Sequence, residues 1–171
     1  MTENLMYTTM TSPIGELLLV GNDQALYRLH MQSGPRPAAI DPRWEPGARP
    51  FSHVAVQLDE YFAGARKAFD VPLELEGNPF EVQVWRELRR VPYGETISYG
   101  ELARRVGDPG AARAVGLANA RNPIAVIVPC HRVIGADGSL TGYGGGLERK
   151  RLLLDLESGV LPLAPAPTPA L

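Results

Sequence analysis

The 171-residue chain has one cysteine and three histidines, a scarcity that narrows its chemistry before any motif is read. One thiol cannot close an intramolecular disulfide, so the fold must rest on its core, and a reducing, cytoplasmic setting fits best. A zinc site would have to be built from His30, His53, His131 and carboxylates without thiolate help, so no metal is expected. No apolar run approaches the roughly eighteen residues of a membrane span, and no basic segment followed by a long apolar stretch opens the chain. Neither membrane nor export is expected. The Walker and dinucleotide glycine patterns are missing as well. Excess positive charge is also absent: the formal net charge is -2 and the pI about 5.9, which at first sight speaks against a nucleic-acid partner.

The charge that is present is unevenly placed. Residues 1–78 carry six basic and ten acidic side chains, whereas 79–158 carry eleven and nine. Arg104, Arg105, Arg113, Arg121 and Arg132 face only Asp108 as opposing charge, a local excess that suits a phosphate-facing surface and equally a solvated helix face.

At 18.5 kDa the chain can bury a core without staples, and its patterns divide it in two. Residues 6–11, 16–20 and 25–31 read as an antiparallel meander, and the proline- and glycine-rich residues 33–50 as a surface loop. Val54, Leu58, Tyr61 and Phe62 share the face of a helix over 51–62, and residues 69–75 alternate as a strand. Residues 1–77 therefore predict a small structural α+β domain with an antiparallel sheet, in which His30 and His53 are ordinary side chains and no catalytic constellation appears.

Residues 78–158 predict a second, mostly helical domain. Asn78 is placed to cap a helix that buries Phe80, Val84, Trp85 and Leu88. Ser98 and Glu101 form a capping-box pattern for a second helix stopped by Gly107. A third helix begins at Asp108-Pro109 and runs to about Ala120, giving helix-turn-helix geometry. Its glycines and alanines leave Arg113 as the large side chain on a smooth surface. Small residues would equally serve tight internal packing; the neighbouring arginines favour contact with DNA. Residues 147–157 read as a last helix, and 159–171, with four prolines and no charge, as a disordered tail.

The stretch over residues 124–134 organises this half. A five-residue apolar run, the length of a buried strand, meets Pro129 and then presents Cys130 beside His131. Side chains adjacent in extended backbone point apart, so the two form no direct pair unless the chain bends. Cys130 can be read as a nucleophile or as a small buried hydrophobe. After a turn at 135–138, the glycines of 142–146 suit close approach of backbone to a flat ligand.

Five stretches taken in order resemble one family: Ile97-Ser98-Tyr99, Ala112-Arg113-Ala114-Val115-Gly116, Asn122-Pro123, Pro129-Cys130-His131-Arg132-Val133 and Tyr143-Gly144-Gly145-Gly146-Leu147. Over about residues 78–158 the chain resembles the O6-alkylguanine-DNA alkyltransferases, with a winged helix-turn-helix fold. The resemblance implies Cys130 as alkyl acceptor, His131 taking the thiol proton through a water, Glu157 orienting His131, and Asn122 bracing the backbone. It implies Arg113 entering the base stack, Tyr99 steadying the flipped nucleotide, and Cys130, Val133 and Gly144 backbone groups reading the base, with Tyr143 as a wall. Some relatives carry serine at the Gly144 position, so here only the backbone donor is available. The implied partner is double-stranded DNA containing O6-alkylguanine, met by a monomer with or without cooperative assembly, and no cofactor is implied. The implied reaction is a single-turnover S-methyltransfer, because no second cysteine could resolve the thioether. A non-catalytic alkylated-DNA sensor of the same fold, a cysteine hydrolase and a plain helix-turn-helix regulator are the competing readings. Cys130 itself argues against the first, the Arg113 helix against the second and the Cys130 pocket against the third.

Overall fold

The computed structural model describes residues 4–140 and 142–159. The expected disordered tail thus lies, apart from Gly159, outside the described residues. In the first half, β1 (Met6–Met10), β2 (Leu17–Gly21) and β3 (Leu26–Met31) form the expected antiparallel meander. β2 is central, and all five of its residues are buried. Helix α1 (Ser52–Phe62) packs Val54, Leu58, Tyr61 and Phe62 into the core, as their spacing predicts.

Two expectations for this half need correction. The 33–50 segment contains a short strand, β4 (Glu45–Pro46), which runs parallel to β1 and completes the sheet order β3-β2-β1-β4. Proline is tolerated on such an edge, and Trp44 anchors the segment against the Tyr7 ring and beneath Arg28. Residues 69–75 form no strand beyond a single bridge from Leu73 to Leu26. Pro72 supplies only its carbonyl to Leu26 and has no N–H with which to extend a ladder.

The second half opens with α2 (Pro79–Leu88), which Asn78 caps in a reciprocal capping box with Glu81. The Trp85 indole N–H donates to the Ala118 carbonyl at 2.9 Å and fixes this helix against α4 (Ala112–Ala120). Between them lies α3 (Tyr99–Arg105), preceded by β5 (Ile97–Ser98). Ser98 accepts from the Glu101 N–H, but the Glu101 carboxylate turns outward to Arg104 and Arg105, so only half of the expected capping box forms.

Gly107, at φ +87°, ends α3: its N–H bonds Arg104 and that of Asp108 bonds Ala103, the paired bonds of a Schellman close. α4 starts three residues later than Pro109 suggests, because Asp108 to Ala111 close a turn first. α3 and α4 make the helix-turn-helix. β6 (Val133–Ile134) pairs in parallel with β5, and α5 (Leu147–Glu157) packs Leu153 and Leu156 inward.

The largest departure concerns residues 124–128, which form a buried turn where a strand is expected. Apolar runs of this length report burial without specifying the backbone. The Val128 N–H bonds the Ile124 carbonyl, and Val126 adopts φ +70°, an unusual conformation for a β-branched residue. The Asn122 carboxamide spans the turn, accepting from the Ile124 N–H at 2.9 Å and donating to the Val128 carbonyl at 2.8 Å. The sheet edge meets the turn directly, since the Leu29 N–H donates to Pro123 and the Ala125 N–H to Leu29. The first half thus supports the backbone that leads to Cys130.

Candidate active site and nucleic-acid interface

Past Pro129 the chain winds into a single 3-10 turn, Cys130–Arg132. About three residues per turn send three consecutive side chains in three directions, which resolves the adjacency problem posed by extended backbone. Cys130 faces a cavity of about 60 Å³. Asn119, Asn122, Tyr143 and Gly144 share its lining, and Leu29 and His30 close it from the first half. A side chain at Gly144 would meet open space, whereas one at Gly145 would strike the Met31 sulfur. The loop can therefore vary at the first position and is held by packing at the second.

His131 does not line the cavity and is completely buried. Its Nε2 lies 2.7 Å from Glu157 Oε2, while Nδ1 is buried without a hydrogen-bond partner among the described residues. Glu157 is a hub: Arg132 donates to both of its oxygens at 2.8 and 2.9 Å, and the Tyr61 hydroxyl donates at 2.5 Å. Arg132 also donates to the Val91 carbonyl at 2.7 Å. Burial raises the Glu157 pKa, but His131 and Arg132 outweigh it and bring the carboxyl down to about 2. Burial pushes the His131 pKa down, against the opposing pull of Glu157. The imidazole is therefore neutral and the carboxylate ionised at neutral pH.

The thiol is not acidic at rest. Burial pushes the Cys130 pKa up, opposed by Asn122, by the Tyr143 hydroxyl and by the Lys150 ammonium. Lys150 is completely buried on α5, and burial lowers its own pKa while Cys130 raises it. Deprotonation must accordingly accompany the reaction, because little thiolate waits in advance.

Arg113 stands exposed on α4 and forms no ion pair among the described residues. Tyr99 opens α3 and lies in contact range of Gly116, on the seam between the two helices. The expected arginine excess is mostly neutralised. Arg104 and Arg105 pair with Glu101, Arg121 approaches Glu81 at 3.6 Å, and Arg132 is buried against Glu157. Sequence distance conceals the Glu81 and Glu157 partners, whereas Glu101 stands three and four residues before Arg104 and Arg105 on the same helix, a spacing that is legible locally. Arg113 is the member of the group left free to meet another molecule.

Cys130, Asn122, Tyr143 and Gly144 thus meet at one cavity, His131 and Glu157 lie behind it, Val133 begins β6, and Arg113 and Tyr99 sit on the helix-turn-helix. Sequence reasoning missed Tyr61, Lys150 and Asn119. Lys150 was detectable, standing three and seven residues before Leu153 and Glu157 on the inward face of α5. Tyr61 lies 96 residues from its partner and has no comparable signal.

A helix-turn-helix beside a buried thiol, with a histidine–carboxylate pair behind it, defines a DNA-binding protein with nucleophilic cysteine chemistry. Comparison with known proteins gives the particular family. Residues 5–75 match the ribonuclease-like domain of 6-O-methylguanine DNA methyltransferase, and residues 79–159 match its DNA-binding domain. A methylated-DNA–protein-cysteine methyltransferase of Mycobacterium bovis is 54% identical over 157 residues, covering 91% of this chain and 94% of the relative. One from Methanosarcina acetivorans is 49% identical over 153 residues, covering 90% and 98%. The crystal structure of Mycobacterium tuberculosis OGT in complex with DNA superposes with a TM-score of 0.86 at 54% identity, covering 92% of this chain and 95% of that one. The chain belongs to the methylated-DNA–protein-cysteine methyltransferase family. Among the described residues no helix is long and apolar enough to cross a membrane.

Proposed function

We propose that this protein repairs alkylated DNA by direct reversal, moving the alkyl group from O6 of a guanine to Cys130 Sγ in one irreversible step. Residues 78–158 bind DNA and supply the acceptor, and residues 1–77 form the structural domain behind them. The protein acts as a monomer in the cytoplasm, where its thiol stays reduced, and needs no cofactor. The observation that carries the reading is the buried Glu157–His131 pair, whose histidine follows the chain's single cysteine in the same 3-10 turn.

With Nε2–H committed to Glu157, the lone pair at His131 Nδ1 can take the Cys130 proton through one bridging water. Sulfur then attacks the alkyl carbon in line. The S–C bond forms as the C–O6 bond breaks, the bonding pair returns to the purine, and guanine regains at N1 the proton that the thiol gave up. Asn122 holds the turn that leads to the nucleophile, and Tyr143 walls the cavity. Val133 and Gly144 offer backbone groups to the base.

The target carbon lies inside a duplex, so the nucleotide must be extruded at a cost of roughly a few kcal/mol. Arg113 enters the vacated stack, offsetting part of that cost, and Tyr99 steadies the rotated nucleotide. Incubation with a duplex carrying labelled O6-methylguanine tests the reading. One label per protein molecule should appear on Cys130, and Cys130→Ser should bind DNA without accepting label. Binding by the unaltered protein without transfer would instead identify a sensor.

A further inference from the structure

Among the described residues, Leu117 is one of four large apolar side chains that stand exposed, at 53%, and it takes no part in the core. It is the one of the four on the helix-turn-helix. A leucine exposed singly is ordinary on a protein surface, so exposure alone assigns it nothing. Its position on α4 is more informative. Val115, Ala118 and Asn119 are buried on the opposite side of the helix, which leaves Leu117 directed outward. At about 100° per residue, Arg113, Leu117 and Ala120 fall within about 60° of one another, and all three are exposed. Ala120 also lines the Cys130 cavity. One face of α4 therefore leads from Arg113 to the cavity over a rise of about 10 Å, and Leu117 stands between the two ends.

We propose that Leu117 is a substrate-positioning residue whose side chain packs against the deoxyribose of the extruded nucleotide. This rests on the alkyl-acceptor reading above. When Arg113 holds the vacated place in the stack and the base is seated beside Ala120, the sugar must cross the helix surface between them. Deoxyribose presents C–H groups there, and Leu117 is the apolar side chain that meets them. The contact forms only when the nucleotide is out of the stack, so it opposes return to the duplex. A free base has no sugar and gains nothing from it.

Transfer rates at limiting substrate are compared for duplex O6-methylguanine, a single-stranded oligonucleotide carrying the same lesion, and free O6-methylguanine. In Leu117→Ala the two oligonucleotide rates should fall together by roughly 4- to 15-fold, the rate equivalent of one or two buried methylene groups. The free-base rate should stay at the wild-type value. Alanine favours the helix, so the variant keeps its fold. Leu117→Met, which keeps the apolar volume, should restore most of both oligonucleotide rates. Slowing confined to the duplex would place Leu117 in the groove and overturn the sugar contact. Equal slowing of all three substrates, no slowing of any, or a methionine variant as slow as alanine overturns it as well. Transfer from none of the three by the wild-type protein overturns the alkyl-acceptor reading itself, and the proposal with it.

Discussion

Replacing Glu157 with glutamine should remove an acid-sensitive part of the stability whose size follows from the site. The carboxylate side chain is 1% exposed, so solvent screening does little to discount its interactions. Burial alone would raise its pKa, yet hydrogen bonds and charge from His131 and Arg132 lower it from 4.5 to about 2. That gap corresponds to ~3 kcal/mol favouring the folded state when the group is ionised in both states. Because the folded value is the lower one, the contribution is complete above pH 4.5 and drains away as the pH falls towards 2. About 2 kcal/mol of it should be gone by pH 3.

Glutamine keeps the shape but leaves the Arg132 guanidinium buried without its counter-charge. The variant should therefore be less stable at pH 7 by about 3–5 kcal/mol. Urea unfolding of both proteins at pH 7, 5 and 3 measures the difference directly. The gap should hold from pH 7 to 5 and narrow by ~2 kcal/mol at pH 3. A gap that stays constant down to pH 3 would show that Glu157 is not held ionised by its neighbours, and the electrostatic account of the site would fail. His131 contributes in the same direction: its depressed pKa means that the unfolded chain takes up the proton first as pH falls below 6.5.

Three further substitutions examine separate links. Tyr61→Phe removes a donor to a buried carboxylate and should cost about 1.5–3 kcal/mol in urea unfolding; a change under ~0.5 kcal/mol would deny the cross-half bond any role. Lys150→Met deletes a cation that opposes the upward push of burial on the thiol, so alkylation of Cys130 at neutral pH should slow about tenfold for each pKa unit gained and recover at higher pH. An unshifted pH profile would remove Lys150 from the thiol's electrostatics. Arg113→Ala should slow transfer from duplex DNA by roughly tenfold or more while leaving reaction with a free-base analogue near wild type. Equal slowing of both would contradict a role in extrusion.

The helices of the second half were legible because local chemistry specifies them. Asn78, Ser98 and Gly107 act on backbone groups within a turn of themselves, and that information stays in the local sequence. The turn over 124–128 was not legible, because burial of Ile124, Val126, Ile127 and Val128 leaves no alternation by which a strand is recognised. Its shape depends on Asn122 and on the edge of β3, whose contacts are set only when the two halves meet. Charge is concealed for a related reason. Arg132 reads as a surface cation in sequence, yet its partners Glu157 and Val91 lie 25 and 41 residues away. Cys130, His131 and Glu157 could be singled out as candidates, but Tyr61 and Asn119 emerge only from the packed arrangement.

A raised thiol pKa looks at first like a defect in a nucleophile. For a group used only once, it is selective. A thioether is not reopened by thiol exchange, and Cys130 is the single cysteine of the chain, so each stray alkylation would consume a protein molecule. Burial keeps the sulfur protonated, and stray electrophiles and oxidants react chiefly with thiolate. The elements needed to remove the proton are nevertheless preassembled: a neutral imidazole, a carboxylate already ionised behind it, and a buried lysine cation whose charge favours thiolate. A lesion seated in the cavity would exclude bulk water and bring the alkyl carbon in line with sulfur, so proton loss and bond formation can proceed together. The same burial that lowers background reactivity thus makes the reaction depend on occupancy of the cavity, and general thiol reagents should react with Cys130 far more slowly than an alkylated base does.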